Sequence, residues 1–279
     1  MSSFPILLTG ANKVSNSQYK YSFPASVDLS NYDIALADLA LYYSWYSISQ
    51  AQGNNTFSIN FPNGSGNSTY NITIPDGTYS VSDLNNYLQY FFFSNGLYIQ
   101  NNTTGAITYY MSLQANPTAY KIQLISYALP TSLPAGSTAG SGIVFPTTSR
   151  QPQLVVNNSG FGSIIGFSNA TYPSAQTSST YTQNGDLVPQ VSPVQSILMQ
   201  CSVVHNPLAL SNQTLHVFTS AGVNYGSLIV SSPAEYNWVP VGGTVQEFVI
   251  SFTDQNYRPL NIVDTQLTIK LLLKPREQK

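Results

Sequence analysis

Few residues of this 279-residue chain could carry catalytic or metal chemistry. His205 and His216 are its two histidines and Cys201 is its one cysteine, and no CxxC or HExxH spacing occurs. Zinc sites draw on several such ligands at short spacing, so neither a structural zinc site nor a zinc hydrolase is predicted. Cys201 lies in the apolar run 197–204, which is typical of a buried, unreactive thiol and leaves no intramolecular disulfide partner.

Other catalytic patterns are absent or incomplete in the sequence. Gly160-Phe161-Gly162 followed by Gly166 has the look of a glycine fingerprint. No strand–helix unit of the dinucleotide type surrounds it and no Walker lysine follows, so a tight loop is predicted. No GxSxG elbow marks a serine nucleophile, and the scattered carboxylates form no evident glycosidase pair. The sequence therefore predicts no catalytic, cofactor-binding or metal-binding residue, and a protein that is not an enzyme.

Charged residues make up 7% of the chain, against a usual share near 25%. There is no lysine or arginine between Lys20 and Lys121, nor between Arg150 and Arg258. Asn, Gln, Ser and Thr must therefore cover most of the surface, with little like-charge repulsion to oppose self-association. Since 42% of the residues are hydrophobic, the chain is expected to fold. Because so few residues are charged, it is also expected to be surrounded by copies or partners.

The net charge of −2 and the pI of about 5.5 predict no basic surface for binding nucleic acid over most of the chain. The basic residues concentrate at the end of the chain, where Lys270, Lys274, Arg276 and Lys279 suggest a basic C-terminal tail over 270–279. Such a tail is either solvated or a short arm that makes weak contact with a genome or an anionic neighbour. The sequence predicts neither a secretory signal nor a membrane span.

Period-two alternation recurs along the chain and predicts strands. The longest candidate is Ile34–Ser49, which is apolar on both faces over its centre, as in a strand covered on both sides. One segment breaks the pattern: after Ser80, apolar residues recur at three- and four-residue spacing, which predicts one short amphipathic helix lying over a sheet end. Ser80 and Asp83 form its capping box. The further strand candidates are Asn54–Phe61, Ala106–Leu113, Tyr120–Ala128, Gln195–Val204, Leu215–Ser220, Ser227–Val230, Gln246–Phe252 and Thr265–Leu273.

Two turn-rich stretches, 130–152 and 168–193, are predicted to be long loops or insertions. Loops of that length inside a compact domain are either ordered by contacts or mobile. If they are ordered, neighbouring subunits are the expected cause.

The order of several strings resembles that of the penton, or minor capsid, proteins of virophages and Polinton-like viruses. These strings are NYDIALADLALYYSWYSIS from Asn31, IPDGTYSVSDLNNYLQ from Ile74, GFGSIIGF from Gly160, SPVQSILMQCSVVHNPL from Ser192 and FTDQNYRPLNIVDTQLTIKLLLK from Phe252. The resemblance implies an all-β fold with one jelly-roll capsid domain over 1–279, built from two four-stranded antiparallel sheets. It also implies a homopentamer at the five-fold vertices of a small icosahedral dsDNA virus. The partners would be trimers of the major capsid protein, and assembly would take place in the host cell cytoplasm.

The residues agree with that architecture, since long apolar strand candidates lie near both ends of the chain, where a jelly roll pairs its terminal strands. The length leaves no room for a double jelly roll. An alternative class is a carbohydrate-binding β-sandwich, either a lectin or a receptor-binding fibre head, with aromatic side chains stacked on sugar rings. The candidate aromatic residues are Tyr42, Tyr43, Trp45, Tyr46, Tyr236 and Trp238.

Overall fold

The computed structural model describes residues 3–276, and the chain divides into two compact units. Unit 1 comprises Met1–Trp45 and Val194–Lys279, and unit 2 comprises Tyr46–Pro193. Unit 2 is therefore inserted into the sequence of unit 1, a division that the prediction of one domain over 1–279 does not contain. The predicted all-β character is confirmed, because strands predominate over helices.

Unit 1 forms two antiparallel sheets among its described residues. Its strands are β1 (Phe4–Thr9), β2 (Lys13–Ser15), β3 (Gln18–Asp28), β4 (Tyr32–Tyr42), β15 (Ile197–Cys201), β16 (Thr214–Phe218), β17 (Leu228–Ser231), β18 (Val239–Pro240), β19 (Thr244–Asp254) and β20 (Thr268–Pro275), with a 3-10 turn at Gly10–Asn12. The first sheet has the order β1-β20-β4-β17, with β18 also paired to β4, and the second has the order β16-β15-β19-β3-β2.

A β-bulge explains why β4 is apolar on both faces in the sequence. Against β20, Lys270 pairs with Asp38 but Leu271 pairs with Leu36, so Ala37 is the extra residue. A bulge of this kind reverses the alternation, and Leu36 and Leu39 both face the core. Ile34, Ala35 and Leu36 are nevertheless all buried, so the strand is covered on both faces before the bulge. It ends at Tyr42 rather than at Ser49.

The core of unit 1 draws buried residues from both of its sheets. Phe252 is completely buried, and its ring meets those of Tyr19 and Phe218 edge-on at 5.9 and 6.3 Å between centroids. The Tyr19 hydroxyl is buried without a hydrogen-bond partner. Burial, with a smaller effect of the Asp264 charge, raises the pKa of Tyr19 to about 12, so this phenol stays neutral.

The predicted basic tail is mostly a strand. Lys270 and Lys274 lie on β20, which pairs with both β1 and β4. The Lys274 ammonium lies 4.6 Å from the ring centroid of Trp238, in cation–π geometry. Arg276 Nε lies 2.7 Å from Asp33 Oδ1, and its Nη2 donates to the Tyr32 and Val241 carbonyls. Lys279 lies outside the described residues.

Unit 2 combines short strands with two helices. Its elements are β5 (Thr56–Asn63), β6 (Gly66–Thr73), α1 (Val81–Ser94), β7 (Ile99–Asn101), β8 (Ile107–Thr108), β9 (Met111–Asn116), β10 (Lys121–Ser126), β11 (Ser137–Ala139), β12 (Gln153–Val156), α2 (Ser159–Ile165), β13 (Ala170–Tyr172) and β14 (Tyr181–Asn184). The strands form the sheets β13-β12-β5-β6, β14-β10-β9 and β11-β7-β8.

The predicted amphipathic helix is confirmed as α1. Ser80 accepts from the Asp83 amide, and the Asp83 carboxylate accepts from the Ser80 amide, which closes the predicted capping box. Leu84, Leu88 and Phe92 are buried on one face. Asn85 Oδ1 accepts a hydrogen bond from the Leu113 amide of β9. The helix therefore covers the free edge of that sheet, where an open strand would invite unwanted pairing.

The glycine string from Gly160 is a helix, not the predicted tight loop. The Asn158 side chain caps α2 by accepting from the amides of Gly160 and Phe161. The helix ends at Gly166, whose φ of +77° lies in the left-handed region. The Phe161 ring stacks on Phe57 of β5 at 4.5 Å, which fixes the helix on the four-stranded sheet.

The two long loops make contacts within unit 2. Each contains short strands: β11 lies in 130–152, and β13 and β14 lie in 168–193. The buried Gln151 side chain donates to Thr177 Oγ1 and to the Ser179 carbonyl, both at 3.2 Å. The Gln151 side chain therefore joins the first long loop to the second.

Candidate assembly surfaces

The residues with chemical potential do not converge on one site. Cys201 is completely buried, and burial raises the pKa of its thiol to about 12, so it is an unreactive core residue. His205 is exposed on a loop, whereas His216 Nε2 lies 2.9 Å from Ser231 Oγ and links β16 to β17. Over residues 3–276, no group of three or more His, Cys, Asp or Glu side chains could hold a metal ion.

The stability of unit 1 should fall in mild acid because of His216. Burial lowers its pKa, so the neutral ring favours folding above the unfolded pKa of about 6.5. This contribution is lost as the pH falls through the folded pKa. Replacing His216 with Gln should reduce the fall in the free energy of unfolding between pH 7.5 and 5. The reduction should be less than about 1 kcal/mol, because the ring is partly exposed. Urea midpoints at the two pH values measure it. A His216→Gln variant that keeps the full wild-type pH dependence would contradict the assignment.

The carboxylates serve turns, caps and ion pairs. Three of them have lowered pKa values because serine residues donate hydrogen bonds to the carboxylate. Ser30 donates to Asp28, Ser80 donates to Asp83, and Ser168 donates to Asp186. Asp254 accepts from the amides of Asn256 and Arg258 in a turn. Carboxylates bonded in this way organise local backbone and do not form the close pair that glycoside hydrolysis requires.

The aromatic residues proposed for sugar stacking differ in exposure: two are buried, Tyr42, Tyr46 and Trp238 are half-buried, and Tyr236 is exposed. Tyr43 and Trp45 are buried, with ring centroids 4.4 Å apart. Tyr236 packs edge-on against Trp238 at 5.9 Å, and the Lys274 ammonium occupies a face of the Trp238 ring. A sugar needs a free aromatic face, so these residues do not form a ready carbohydrate platform.

Unit 2 has five charged side chains, and each is engaged inside the unit. Arg150 donates to the carbonyls of the β5–β6 turn at Gly64, Ser65 and Gly66. Lys121 donates to the Asp186 carbonyl, while Asp76, Asp83 and Asp186 accept from nearby backbone amides. The function of Arg150 has no signal in the sequence, because its acceptors are backbone atoms. A surface with so little free charge can be covered with a small desolvation cost.

The outer faces of both sheets of unit 1 mix apolar and charged side chains. On the first sheet, Lys270 lies between Leu7 and Asp38, and on the second sheet Val217 is about half exposed. On the first sheet, Leu7, Leu228 and Val230 point outward and are about half exposed. The second sheet carries the Lys20–Glu247 ion pair at 3.1 Å on its outer face. Leu228 and Val230 lie together on β17, and grouped exposed apolar side chains are typical of a surface that another molecule covers. The β17 side of the first sheet is therefore the candidate assembly surface.

A cleft lies at one end of this outer face. It has a volume of about 550 Å³ and is lined by the ends of β1, β4, β17 and β20 and by the segments that follow β1 and precede β20. Its apolar lining comes from Ala11, Ala40, Tyr42, Leu228 and Leu267, and the other lining residues are uncharged. No local pattern in the sequence indicates this cleft, because its lining comes from segments that are distant along the chain.

No protein-family model and no curated protein sequence matches the chain. Among solved structures, it is similar to the penton protein of mavirus, with 12% identity and a TM-score of 0.45 over 99% of this chain and 100% of that one. It is also similar to a chain in the structure of the Sputnik virophage, with 14% identity and a TM-score of 0.40 over 99% and 98% of the two chains. Similarities of this size do not by themselves establish a common fold. No helix among residues 3–276 is long and apolar enough to cross a membrane.

Proposed function

We propose that unit 1 is a single jelly roll and that the chain is a structural protein of a virion, the penton at the five-fold vertices of a small icosahedral dsDNA virus. The observation that carries the proposal is the strand order. The two sheets contain two four-stranded rows, β1-β20-β4-β17 and β3-β19-β15-β16. In the first row, β1 and β20, which are the first and last strands of the described chain, are neighbours. Such an order arises when two Greek keys interleave into a jelly roll.

The choice of a capsid protein rests on the surface, since a jelly roll hosts both viral capsid proteins and lectins and a fold alone does not fix a function. The charged residues of unit 2 are engaged, and the β17 side of the first sheet exposes Leu228 and Val230. Both features favour contact between proteins. The covered aromatic rings weigh against the lectin alternative.

In this proposal the chain has no catalytic role and no cofactor. Five copies form a closed ring whose interfaces are heterologous, and trimers of the major capsid protein surround the vertex. The protein resides in the virion after assembly in the host cytoplasm. Lys274 contacts Trp238 and Arg276 contacts Asp33. A weak contact with the genome would therefore be made by Lys270, which is exposed on β20, and by Lys279.

The test is the mass of the purified protein together with imaging of particles formed on co-expression with the major capsid protein of the same virus. We expect a species of five times the 30.4 kDa chain mass, located at the vertices. A stable monomer that never enters shells would refute the proposal.

A further inference from the structure

The loop between β15 and β16 presents two leucines to solvent. Leu208 is 96% exposed and Leu210 is 93% exposed, which makes them the most exposed large apolar side chains among residues 3–276. We call residues 206–212 the leucine loop. Single exposed apolar residues are ordinary on a protein surface, but these two lie two positions apart at one loop tip, and we call the pair the knob.

Hydrogen bonds hold the leucine loop in shape. The Asn206 amide donates to the Asn212 carbonyl at 2.6 Å, and Asn206 Nδ2 donates to the Thr214 carbonyl at 3.1 Å. Asn206 Oδ1 accepts from the Leu208 amide at 3.1 Å, and Gln200 Nε2 donates to Ser211 Oγ at the same distance. A loop ordered in this way loses little conformational freedom when it binds, which favours affinity.

The same unit carries a cavity of matching chemistry. The cleft on the first sheet is partly apolar and uncharged, and its volume of about 550 Å³ leaves room for two leucine side chains. The leucine loop contains no charged residue either. Bringing the two together removes apolar surface from water without desolvating a charge.

We propose that the leucine loop of one copy inserts Leu208 and Leu210 into the cleft of a second copy. This inference rests on the proposed function, because it assigns the contact that links neighbours in the ring. Each chain carries one knob and one cleft, so a closed ring fills every cleft and leaves no knob in water. A contact between different patches is heterologous, the type that generates rings. An unrelated partner would leave one of the two patches exposed on every copy.

The test breaks each half of the contact separately. Leu210→Lys alters the knob, and Thr268→Glu places a charge at an exposed position of the cleft. Each variant alone should associate at least about 100-fold more weakly than wild type in sedimentation experiments. A Val14→Lys control alters a residue that is 55% exposed on β2, outside both patches, and should assemble as wild type does. Far-UV circular dichroism spectra of all three that match the wild-type spectrum verify folding, since the melting temperature itself depends on association.

A mixture of the two variants identifies the contact itself. The Thr268→Glu copy keeps an intact knob and the Leu210→Lys copy keeps an intact cleft, so an equimolar mixture should form dimers and nothing larger. Variants that assemble normally, or a mixture that stays monomeric, would overturn the inference. If the wild type is still a pentamer in that case, the proposed function stands. Variants that remain rings alone but fail to enter shells would overturn it in favour of the major capsid protein as the occupant. A monomeric wild type excluded from shells would reject both proposals.

Discussion

Replacing Phe252 with alanine should lower the free energy of unfolding of unit 1 by about 3–5 kcal/mol. The ring is completely buried on β19 and meets Tyr19 and Phe218 edge-on. Its removal loses the transfer free energy of the ring and leaves a cavity that the two surrounding sheets cannot fill by collapse.

Tryptophan fluorescence during urea unfolding can follow this loss, because both tryptophans, Trp45 and Trp238, belong to unit 1. The matched control is Phe4→Ala on β1, where the side chain is 53% exposed and the expected loss is below about 1 kcal/mol. Similar losses for the two variants would mean that Phe252 does not occupy a closely packed core.

Replacing Gly166 with alanine should destabilise unit 2 by about 2–4 kcal/mol. Two costs combine. An L side chain is strained at a φ of +77°, by roughly 1–2 kcal/mol. In addition, the new Cβ would lie 2.8 Å from the Leu187 carbonyl oxygen, so the backbone of the second long loop would have to shift.

A second glycine separates these two costs. Gly105 has a φ of +71° with no heavy atom within 4 Å of an added Cβ, so Gly105→Ala should show the conformational cost alone. Amide hydrogen exchange reports both variants, since unit 2 contains no tryptophan. Protection in α2 and at 185–190 should fall much further in Gly166→Ala. Equal effects would show that the loop does not pack against Gly166.

Local patterns in the sequence sufficed for some elements and failed for others. The helix α1 was predictable because its apolar spacing and its capping box both lie within a few residues. β1 and β3 were missed: β1 is one short turn-bounded run, and β3 mixes polar residues with Pro24. Their identity depends on pairing with β20 and β19, which are distant in the sequence.

The candidate surfaces show the same limit. The small number of charged residues is a property of composition, so the sequence alone predicted a protein that associates with copies of itself or with partner proteins. The cleft joins residues from Thr9 to Thr268, and Leu208 and Leu210 became notable only when their exposure was known. Likewise, Arg276 could not be distinguished from a solvated tail residue until its carbonyl and carboxylate acceptors were located.

The insertion of unit 2 sets the order in which a ribosome can deliver a finished protein. β4 emerges early, but its neighbours β17 and β20 come after the whole of unit 2. At roughly 5–20 residues per second, the nascent chain carries an unpaired apolar strand for on the order of ten seconds while unit 2 has all its residues and can fold. The cleft that we assign to subunit contact cannot exist until β20 is made. Translation itself thus delays ring closure until each polypeptide is nearly complete.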